Sequence, residues 1–182
     1  MPAKTGYTIQ EVEQMEEHAE LVGGALVIED RTSVTHNQAV LEIAATLKEY
    51  LRKNGKDCLV TTENVALYCS ELSEDADREF YLPDVMVVCD REKVDEKGVH
   101  TAPLFVAEVS SESTRKNDQG IKMLTYRSIG VREYWVVDTD RKFVARYLLM
   151  EDGTYFPETY LHPGKLEVTV LKDVKIDFSG IM

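Results

Sequence analysis

The chain lacks any long apolar run. No stretch of its 182 residues approaches the ~20 consecutive apolar residues that a membrane-spanning helix needs. Residues 1–17 also lack the apolar segment of a secretory signal peptide and soon become acidic. We therefore expect a cytoplasmic protein without a membrane partner. The length, with 43% apolar and 30% charged residues, suits one globular domain over residues 1–182 with a substantial core.

Cysteine is scarce, and the three cysteines lie far apart at Cys58, Cys69 and Cys89. None forms a C-x-x-C pair, and their odd number argues against the disulfide framework of a secreted protein. Each lies within an apolar stretch of strand-like composition. The sequence therefore predicts three buried thiols.

Several well-known enzyme motifs are also missing. The chain has no G-x-x-x-x-G-K-[ST] phosphate loop, no G-x-S-x-G elbow and no H-E-x-x-H zinc helix. Its four histidines are too dispersed for their spacing to indicate a zinc site; they are His18, His36, His100 and His162. These absences argue against P-loop nucleotide hydrolysis, serine-hydrolase chemistry and metalloproteolysis.

Basic residues are outnumbered, and the net charge is −12, which is unusual for a protein that binds DNA. The charge is unevenly distributed. Residues 1–30 carry one base and seven acids, a net of −6, whereas residues 111–146 carry eight bases and five acids, a net of +3. The second segment therefore permits a surface that contacts phosphates.

The hydrophobic pattern predicts one α/β domain. Apolar residues recur at helical spacing after the candidate caps Ser33 and Thr35, and Gly55 ends that helix. Polar loops are expected at 70–79 and 90–103. The predicted helices cover about 8–18, 36–53 and 114–129, and the predicted strands cover 21–28 (a glycine hairpin), 58–62, 65–69, 82–89, 104–109, 133–137, 143–149, 154–160 and 166–170.

Two acids occur where strands should be buried. Asp84 begins one strand, and Glu108 lies 24 positions later inside the apolar stretch Leu104–Val109. A buried carboxylate requires a cation, hydrogen-bond donors or water. Adjacent strands lie ~4.8 Å apart, so these acids can share one ion, and carboxylates suit magnesium. Asp84 could instead cap a strand or turn.

The helix after Glu108 adds further candidates. Period-two geometry places Ser110 on the same face of the strand as Glu108. Asp118, Lys122 and Tyr126 are spaced i, i+4, i+8, which would aim Lys122 at the sheet, where an ammonium group stabilises phosphate charge or orients water. Asp118 and Lys122 could equally form a surface ion pair.

Two more assignments remain open from the sequence. His36, at a helix start, could contact substrate or a carboxylate, or could cap or pack. Tyr126 and Trp135 are interpreted as core aromatics rather than as surfaces on which bases stack.

Taken together, these pieces resemble the Uma2 family of restriction-type endonucleases. The likeness extends from about Tyr7 to Leu171. Gly23 and Glu112 depart from the family pattern, which usually has aspartate and proline there. The residues that carry the resemblance are Glu20, His36, Pro83-Asp84, Glu108-Val109, Ser111-Glu112-Ser113-Thr114, Asp118, Lys122, Tyr126 and the run Gly130-Val131-Arg132-Glu133-Tyr134-Trp135-Val136-Val137-Asp138.

The resemblance implies a PD-(D/E)XK nuclease core, a central mixed β-sheet flanked by helices, with extra β-strands. It implies Mg²⁺ or Mn²⁺ as cofactor and DNA as substrate, with Asp84 and Glu108 as the metal-binding acids. Ser110 stands where the standard motif has its lysine, which makes Lys122 the candidate replacement. Glu20 corresponds to an additional acid.

Two expectations concern activity and assembly. The acidic balance and the displaced lysine leave open an alternative, a catalytically weak or inactive nuclease-fold module for nucleic-acid binding or assembly. The strongly apolar strand Glu133–Val137 could lie near a sheet edge and pair with another subunit, so a homodimer is expected as one arrangement.

Overall fold

The computed structural model describes residues 6–28 and 32–182. Within these residues, no helix combines the length and apolar content that crossing a bilayer requires. The α-helices are α1 (Ile9–Val12), α2 (Val34–Lys53), α3 (Arg115–Asn117) and α4 (Met123–Ile129), with a π-helical turn at Asp118–Lys122. Short 3₁₀-helices lie at Cys69–Glu71, Glu74–Ala76 and Arg91–Lys93. The strands are β1 (Ala19–Val22), β2 (Ala25–Ile28), β3 (Leu59–Thr62), β4 (Ala66–Leu67), β5 (Val85–Val88), β6 (Gly98–Val99), β7 (Phe105–Ser110), β8 (Glu133–Asp138), β9 (Phe143–Leu149), β10 (Tyr155–Leu161), β11 (Lys165–Glu167) and β12 (Lys175–Asp177).

A six-stranded sheet organises these elements in the order β10-β9-β8-β7-β5-β3. The β7–β8 pair is parallel and the other neighbours are antiparallel, so the sheet is mixed. Short two-stranded sheets form from β1 with β2, β4 with β6, and β11 with β12. The expected mixed sheet flanked by helices, with extra strands, is confirmed.

Both faces of the sheet are covered, which explains the continuous apolar runs of β5, β7 and β8. On one face, the α2 side chains Ile43, Leu47 and Leu51 pack against odd-numbered strand residues such as Val85 and Trp135. On the other face, α4 and the loops cover the even-numbered residues, including Met86 and Val106. The acids Asp84 and Glu108 are also even-numbered, and the second layer therefore forms around them.

Local signals explain the ends of the long helix. The Ser33 hydroxyl accepts a hydrogen bond from the backbone N–H of His36 at 3.1 Å and caps α2, as expected for one of the two candidates. The predicted helix over 114–129 is one helical run in three parts, because the π-helical turn interrupts its α-helical geometry.

The cysteine prediction is correct for Cys69 and wrong for the other two. Cys69 is a buried free thiol, but Cys58 and Cys89 form a disulfide. The register of the antiparallel pair β3–β5 explains this disulfide. Leu59 pairs with Val88, so Cys58 and Cys89, one residue beyond that pair, lie opposite each other. The spacing of 31 residues gave no indication of that pairing.

Several other expectations require correction. The first helix ends at Val12 rather than near His18, and the loop 70–79 is not wholly solvated, because Ala76 and Glu79 are buried. The strand Glu133–Asp138 lies inside the sheet, paired with β7 and β9, so it offers no free edge for a partner. That strand therefore gives no support for a homodimer, which stays a prediction.

Candidate functional site

Three acids align across the end of the sheet. The register of β3 with β5 pairs Thr62 with Val85, and that of β5 with β7 pairs Val85 with Ala107. One residue beyond these pairs, Glu63, Asp84 and Glu108 therefore lie side by side across three neighbouring strand ends. The Glu63 N–H donates to the Asp84 carbonyl at 3.3 Å, which holds the end of β3 beside Asp84. The row brings like charges to a spacing of ~5 Å, which is costly without positive charge nearby.

Asp84 occupies the centre of this row and is mostly buried. Its Oδ2 accepts a hydrogen bond from the Val109 backbone N–H at 2.6 Å, and its Oδ1 lies 3.1 Å from Nε2 of His36. Its own backbone N–H donates to Oε2 of Glu108 at 3.1 Å. The backbone thus fixes both acids on one face of the sheet.

Glu108 is held on its other oxygen by two donors from the helical run. Lys122 Nζ lies 3.1 Å from Glu108 Oε1, and the Tyr126 hydroxyl donates to the same atom at 2.6 Å. Lys122 Nζ also lies 2.7 Å from Oε2 of Glu20, a buried residue of β1. The ammonium group is therefore clamped between acids that are 102 and 14 positions away along the chain.

Asp118 extends the network into the π-helical turn. Its carboxylate accepts a hydrogen bond from the Ser110 hydroxyl at 2.5 Å and lies 4.0 Å from Lys122 Nζ. Its backbone carbonyl accepts a hydrogen bond from the Tyr134 hydroxyl at 3.0 Å, which satisfies a carbonyl in the wider turn. Asp118 and Lys122 are both buried, so they are not a surface ion pair.

Burial dominates the electrostatics of this network. It raises the pKa of Glu108 well above its ordinary value, with the Lys122 ammonium acting in the opposite direction. Burial likewise raises the pKa of Asp118, again opposed by Lys122. The pKa of the Tyr126 phenol is raised by burial and by Glu108, so this hydroxyl stays a donor. Additional positive charge near Glu108 and Asp118 would therefore favour their ionised forms.

Tyr81 and Glu79 lie on another side of Lys122. The ammonium lies 5.3 Å from the centre of the Tyr81 ring, within the range of a cation–π interaction. The Tyr81 hydroxyl donates to Oε2 of Glu79 at 2.5 Å and contacts the Thr125 hydroxyl at 3.0 Å. Glu79 Oε2 also accepts the Gly23 N–H at 2.9 Å, which ties the glycine hairpin to these residues.

Three of the acids, Asp84, Glu108 and Asp118, line a cleft of about 320 Å³. The polar segment after β7 and Lys122 also line it. Gly23 stands where the family resemblance led us to expect aspartate. A side chain there would place its Cβ 3.0 Å from Ile121, and the φ of Gly23 is +61°. The lining residues include His36, Asp84, Glu108, Ser110, Asp118 and Lys122.

The structure brings together all eight predicted site residues, which are Glu20, His36, Asp84, Glu108, Ser110, Asp118, Lys122 and Tyr126. Sequence reasoning missed Glu63. Within the described residues, the group of metal-ligating side chains with donor atoms within 4.8 Å of one another consists of His36, Glu63 and Asp84. The signal was an acid immediately after a strand, but it could be recognised only once β3 was known to neighbour β5.

The basic segment 111–146 divides into internal and exposed charges. Lys122 is buried, Arg115 pairs with Asp138 at 2.5 Å, and Arg146 pairs with Glu158 at 2.6 Å. The exposed bases are Lys116, Arg127, Arg132, Arg141 and Lys142. Two of these, Lys116 and Arg141, adjoin the cleft residues Asn117 and Asp140. These two exposed bases are therefore the candidates for a cationic rim beside the acidic cleft.

Comparisons with known proteins bear on this arrangement. The family model for Uma2, described as "Putative restriction endonuclease", matches residues 7–178. The crystal structure of a "putative nuclease" from Anabaena variabilis superposes with a TM-score of 0.72 over 97% of each chain, at 15% sequence identity, which shows a shared fold. No curated protein matches the chain. With its fold and nearly its whole length matched, the chain belongs to the Uma2 family.

Proposed function

We propose that this protein is a divalent-metal-dependent DNA endonuclease, with Mg²⁺ or Mn²⁺ held by Asp84 and Glu108 and with Lys122 beside them. One observation carries the proposal. Two acids from neighbouring strands lie on one face of the sheet, joined by the 3.1 Å bond from the Asp84 N–H to Glu108, with an ammonium 3.1 Å from Glu108. That combination is the chemical requirement for binding a cation and a phosphate at one place.

The residues present fit a divalent ion. In the described part of the chain, the contacts of this cluster join five carboxylates, those of Glu20, Glu63, Asp84, Glu108 and Asp118, to two side chains that can carry positive charge, Lys122 and His36. Burial opposes that excess of negative charge, and a doubly charged ion would offset it. All the acid donors are hard oxygens, which suit Mg²⁺ and Mn²⁺.

When bound, the ion would polarise the scissile phosphate and lower the pKa of a coordinated water molecule. The chain's own residues would set the geometry. The Val109 N–H and Asp84 N–H hold the two carboxylates in place, and Tyr126 fixes the Glu108 rotamer through its 2.6 Å hydrogen bond. Preorganised side chains of this kind reduce the reorganisation needed during reaction.

Lys122 would stabilise the phosphate's negative charge or orient the attacking water. Its ammonium is buried and is held by Glu20 and Glu108, and Lys122 is one of the residues that line the cleft. Glu20 would act as a positioning residue, since it contacts Lys122 and accepts a hydrogen bond from the Leu82 N–H at 2.7 Å. Ser110 and Asp118 would hold the π-helical turn that carries Lys122. His36 would orient Asp84 through its 3.1 Å contact.

Plasmid cleavage tests the proposal. The wild-type chain should nick or linearise supercoiled DNA with Mg²⁺ or Mn²⁺, and removal of the ion by EDTA should stop it. Asp84→Asn and Glu108→Gln should each lower the rate at least ~100-fold, because each removes one ionised ligand. The isosteric surface change Asp177→Asn is the matched control, and Trp135 fluorescence reports the fold. Full cleavage by both acid variants would contradict the assignment.

A second candidate is a nuclease-fold module with little catalysis. It is favoured by Lys122, which is already engaged by Glu20 and Glu108, and by Ser110 at the position of the motif's lysine. Calorimetric titration with Mg²⁺, alongside a DNA mobility shift, separates the candidates. DNA binding without Mg²⁺ binding would favour the module, whereas Mg²⁺ binding that disappears in Glu108→Gln would favour the enzyme.

A further inference from the structure

A second group of possible metal ligands lies on the side of Asp84 away from Glu108, and it consists of His36, Glu63 and Asp84 itself. His36 Nε2 lies 3.1 Å from Asp84 Oδ1 and 3.7 Å from Glu63 Oε1. These side chains come from three separate places, the first turn of α2, the residue after β3 and the residue before β5. The fold therefore brings one imidazole and two carboxylates close together.

We infer that His36, Glu63 and Asp84 form a second cation site that takes a divalent transition metal such as Mn²⁺. The inference shares Asp84 with the proposed nuclease site and rests on that proposal to this extent. Asp84 would use Oδ1 here, while its Oδ2 faces the Val109 N–H. The two sites would share the Asp84 carboxylate, and paired metal ions are common in enzymes that cleave phosphodiesters.

The donor spacing fits an ion. With metal–ligand bonds of about 2.1 Å, adjacent donors in an octahedron are about 3.0 Å apart and opposite donors about 4.2 Å apart. In the structure, His36 Nε2 lies 3.1 Å from the Asp84 oxygen and 3.7 Å from the Glu63 oxygen, and all three ligand atoms lie within 4.8 Å of one another. Small side-chain movements would therefore complete a coordination sphere, with water in the remaining positions.

Access and burial are also suitable. The side chains of His36 and Asp84 are 12% and 13% exposed, and that of Glu63 is 30% exposed. His36 and Asp84 line the cleft, so an ion can enter from solvent. The Glu63 N–H bond to the Asp84 carbonyl fixes the spacing of the two acids before any ion binds. Such fixed spacing lowers the ordering cost of binding.

The imidazole determines which ion the site prefers. Neutral histidine nitrogen is a good ligand for first-row transition metals, whereas Mg²⁺ prefers oxygen. The Asp84–Glu108 pair supplies only oxygen, so the two sites should differ in metal preference. The competing explanation is an imidazolium that neutralises Glu63 and Asp84 without any metal.

Electron paramagnetic resonance of the full chain titrated with Mn²⁺ tests the site without any cleavage assay. Pulsed spectra of the wild type should show modulation from a coordinated ¹⁴N nucleus. His36→Gln should abolish that modulation and weaken Mn²⁺ binding at least ~10-fold, the effect of losing one ligand or its supporting shell. His162→Gln, an exposed histidine, is the matched control and should change neither quantity.

Two further variants keep the inference separate from the nuclease proposal. Glu63→Gln should weaken Mn²⁺ binding while leaving the nitrogen signal present at saturating metal. Glu108→Gln should keep the signal, because Glu108 belongs to the other site, even though cleavage is lost. A wild-type Mn²⁺ spectrum without nitrogen modulation, or modulation that survives His36→Gln, would overturn the second site. A wild-type protein that shows the nitrogen signal but does not cleave DNA would instead overturn the nuclease proposal alone.

Discussion

Replacing Lys122 with methionine removes the ammonium that lies between three buried acids while keeping a side chain of similar length. Lys122 Nζ is 2.7 Å from Glu20, 3.1 Å from Glu108 and 4.0 Å from Asp118. All four side chains are at most 4% exposed. Removing one partner of a buried ion pair leaves uncompensated charge and costs about 3–5 kcal/mol. We expect a loss of stability of that order at neutral pH.

The loss should depend on pH. Burial already holds the pKa of Glu108 above its ordinary value of 4.5, and Lys122 opposes that shift. A group whose pKa is higher in the folded state contributes stability below its unfolded pKa, and that contribution is lost as pH rises through the folded pKa. Without Lys122, the folded pKa of Glu108 rises further. The two proteins should therefore diverge as the pH rises through the folded pKa of Glu108 in the wild type, which lies well above 4.5, and the difference should be larger at pH 8 than at pH 5.

Urea unfolding followed by the fluorescence of Trp135, the single and fully buried tryptophan, measures this difference. Lys53→Met is the matched control, because Lys53 forms an i, i+4 pair with Glu49 at 2.7 Å while 64% exposed. Its unfolding midpoint should hardly change. A Lys122→Met variant that loses less than about 1 kcal/mol, equally at both pH values, would refute the buried network.

Three further predictions follow from other contacts. Tyr126→Phe keeps the ring but removes the 2.6 Å hydrogen bond to Glu108, so chemical denaturation should show a loss of about 1–2 kcal/mol; an unchanged midpoint would contradict it. Lys116→Glu combined with Arg141→Glu should weaken DNA binding and flatten its salt dependence in a filter or anisotropy assay, whereas Lys175→Glu on β12 should not, and equal effects would argue against the cationic rim. Thiol titration of the denatured, unreduced protein should find one reactive group, Cys69, and Cys58→Ser should lower stability by about 3 kcal/mol because the disulfide closes a span of 31 residues; three titrating thiols would exclude the bond.

Much of the fold follows from local pattern. The stripe Val40, Ile43, Leu47 and Leu51 predicted α2, and all four side chains pack in the core. The apolar strands around Asp84 and Glu108 predicted that both acids are buried, and a sheet covered by helices was implied by the family resemblance. The acids inside those strands were conspicuous because burial makes a carboxylate costly, which is why the site could be outlined from sequence.

What could not be predicted depends on contacts between distant segments. Glu63 became part of the site only because β3 pairs with β5, and Cys58 met Cys89 through the same register. Glu79 looked like part of a solvated loop, yet it is buried under Tyr81 and the hairpin glycine. Strand order and register arise from packing of the whole sheet, and periodicity within one strand does not encode them.

The π-helical turn at Asp118–Lys122 has a consequence for the angular position of everything after it. Each residue in an α-helix rotates the chain by about 100°, so a widened turn resets the azimuth of the helix that follows. Lys122 and Tyr126 both reach Glu108 in this setting. Deleting Gly120, which lies inside the turn, would restore plain α-helical phase and swing one side of the helix by roughly a quarter turn. The contact between the Lys122 ammonium and Glu108 therefore depends on helical phase as much as on residue identity. Relatives that keep every charged residue but lack the extra residue of the π-helical turn should lose this contact.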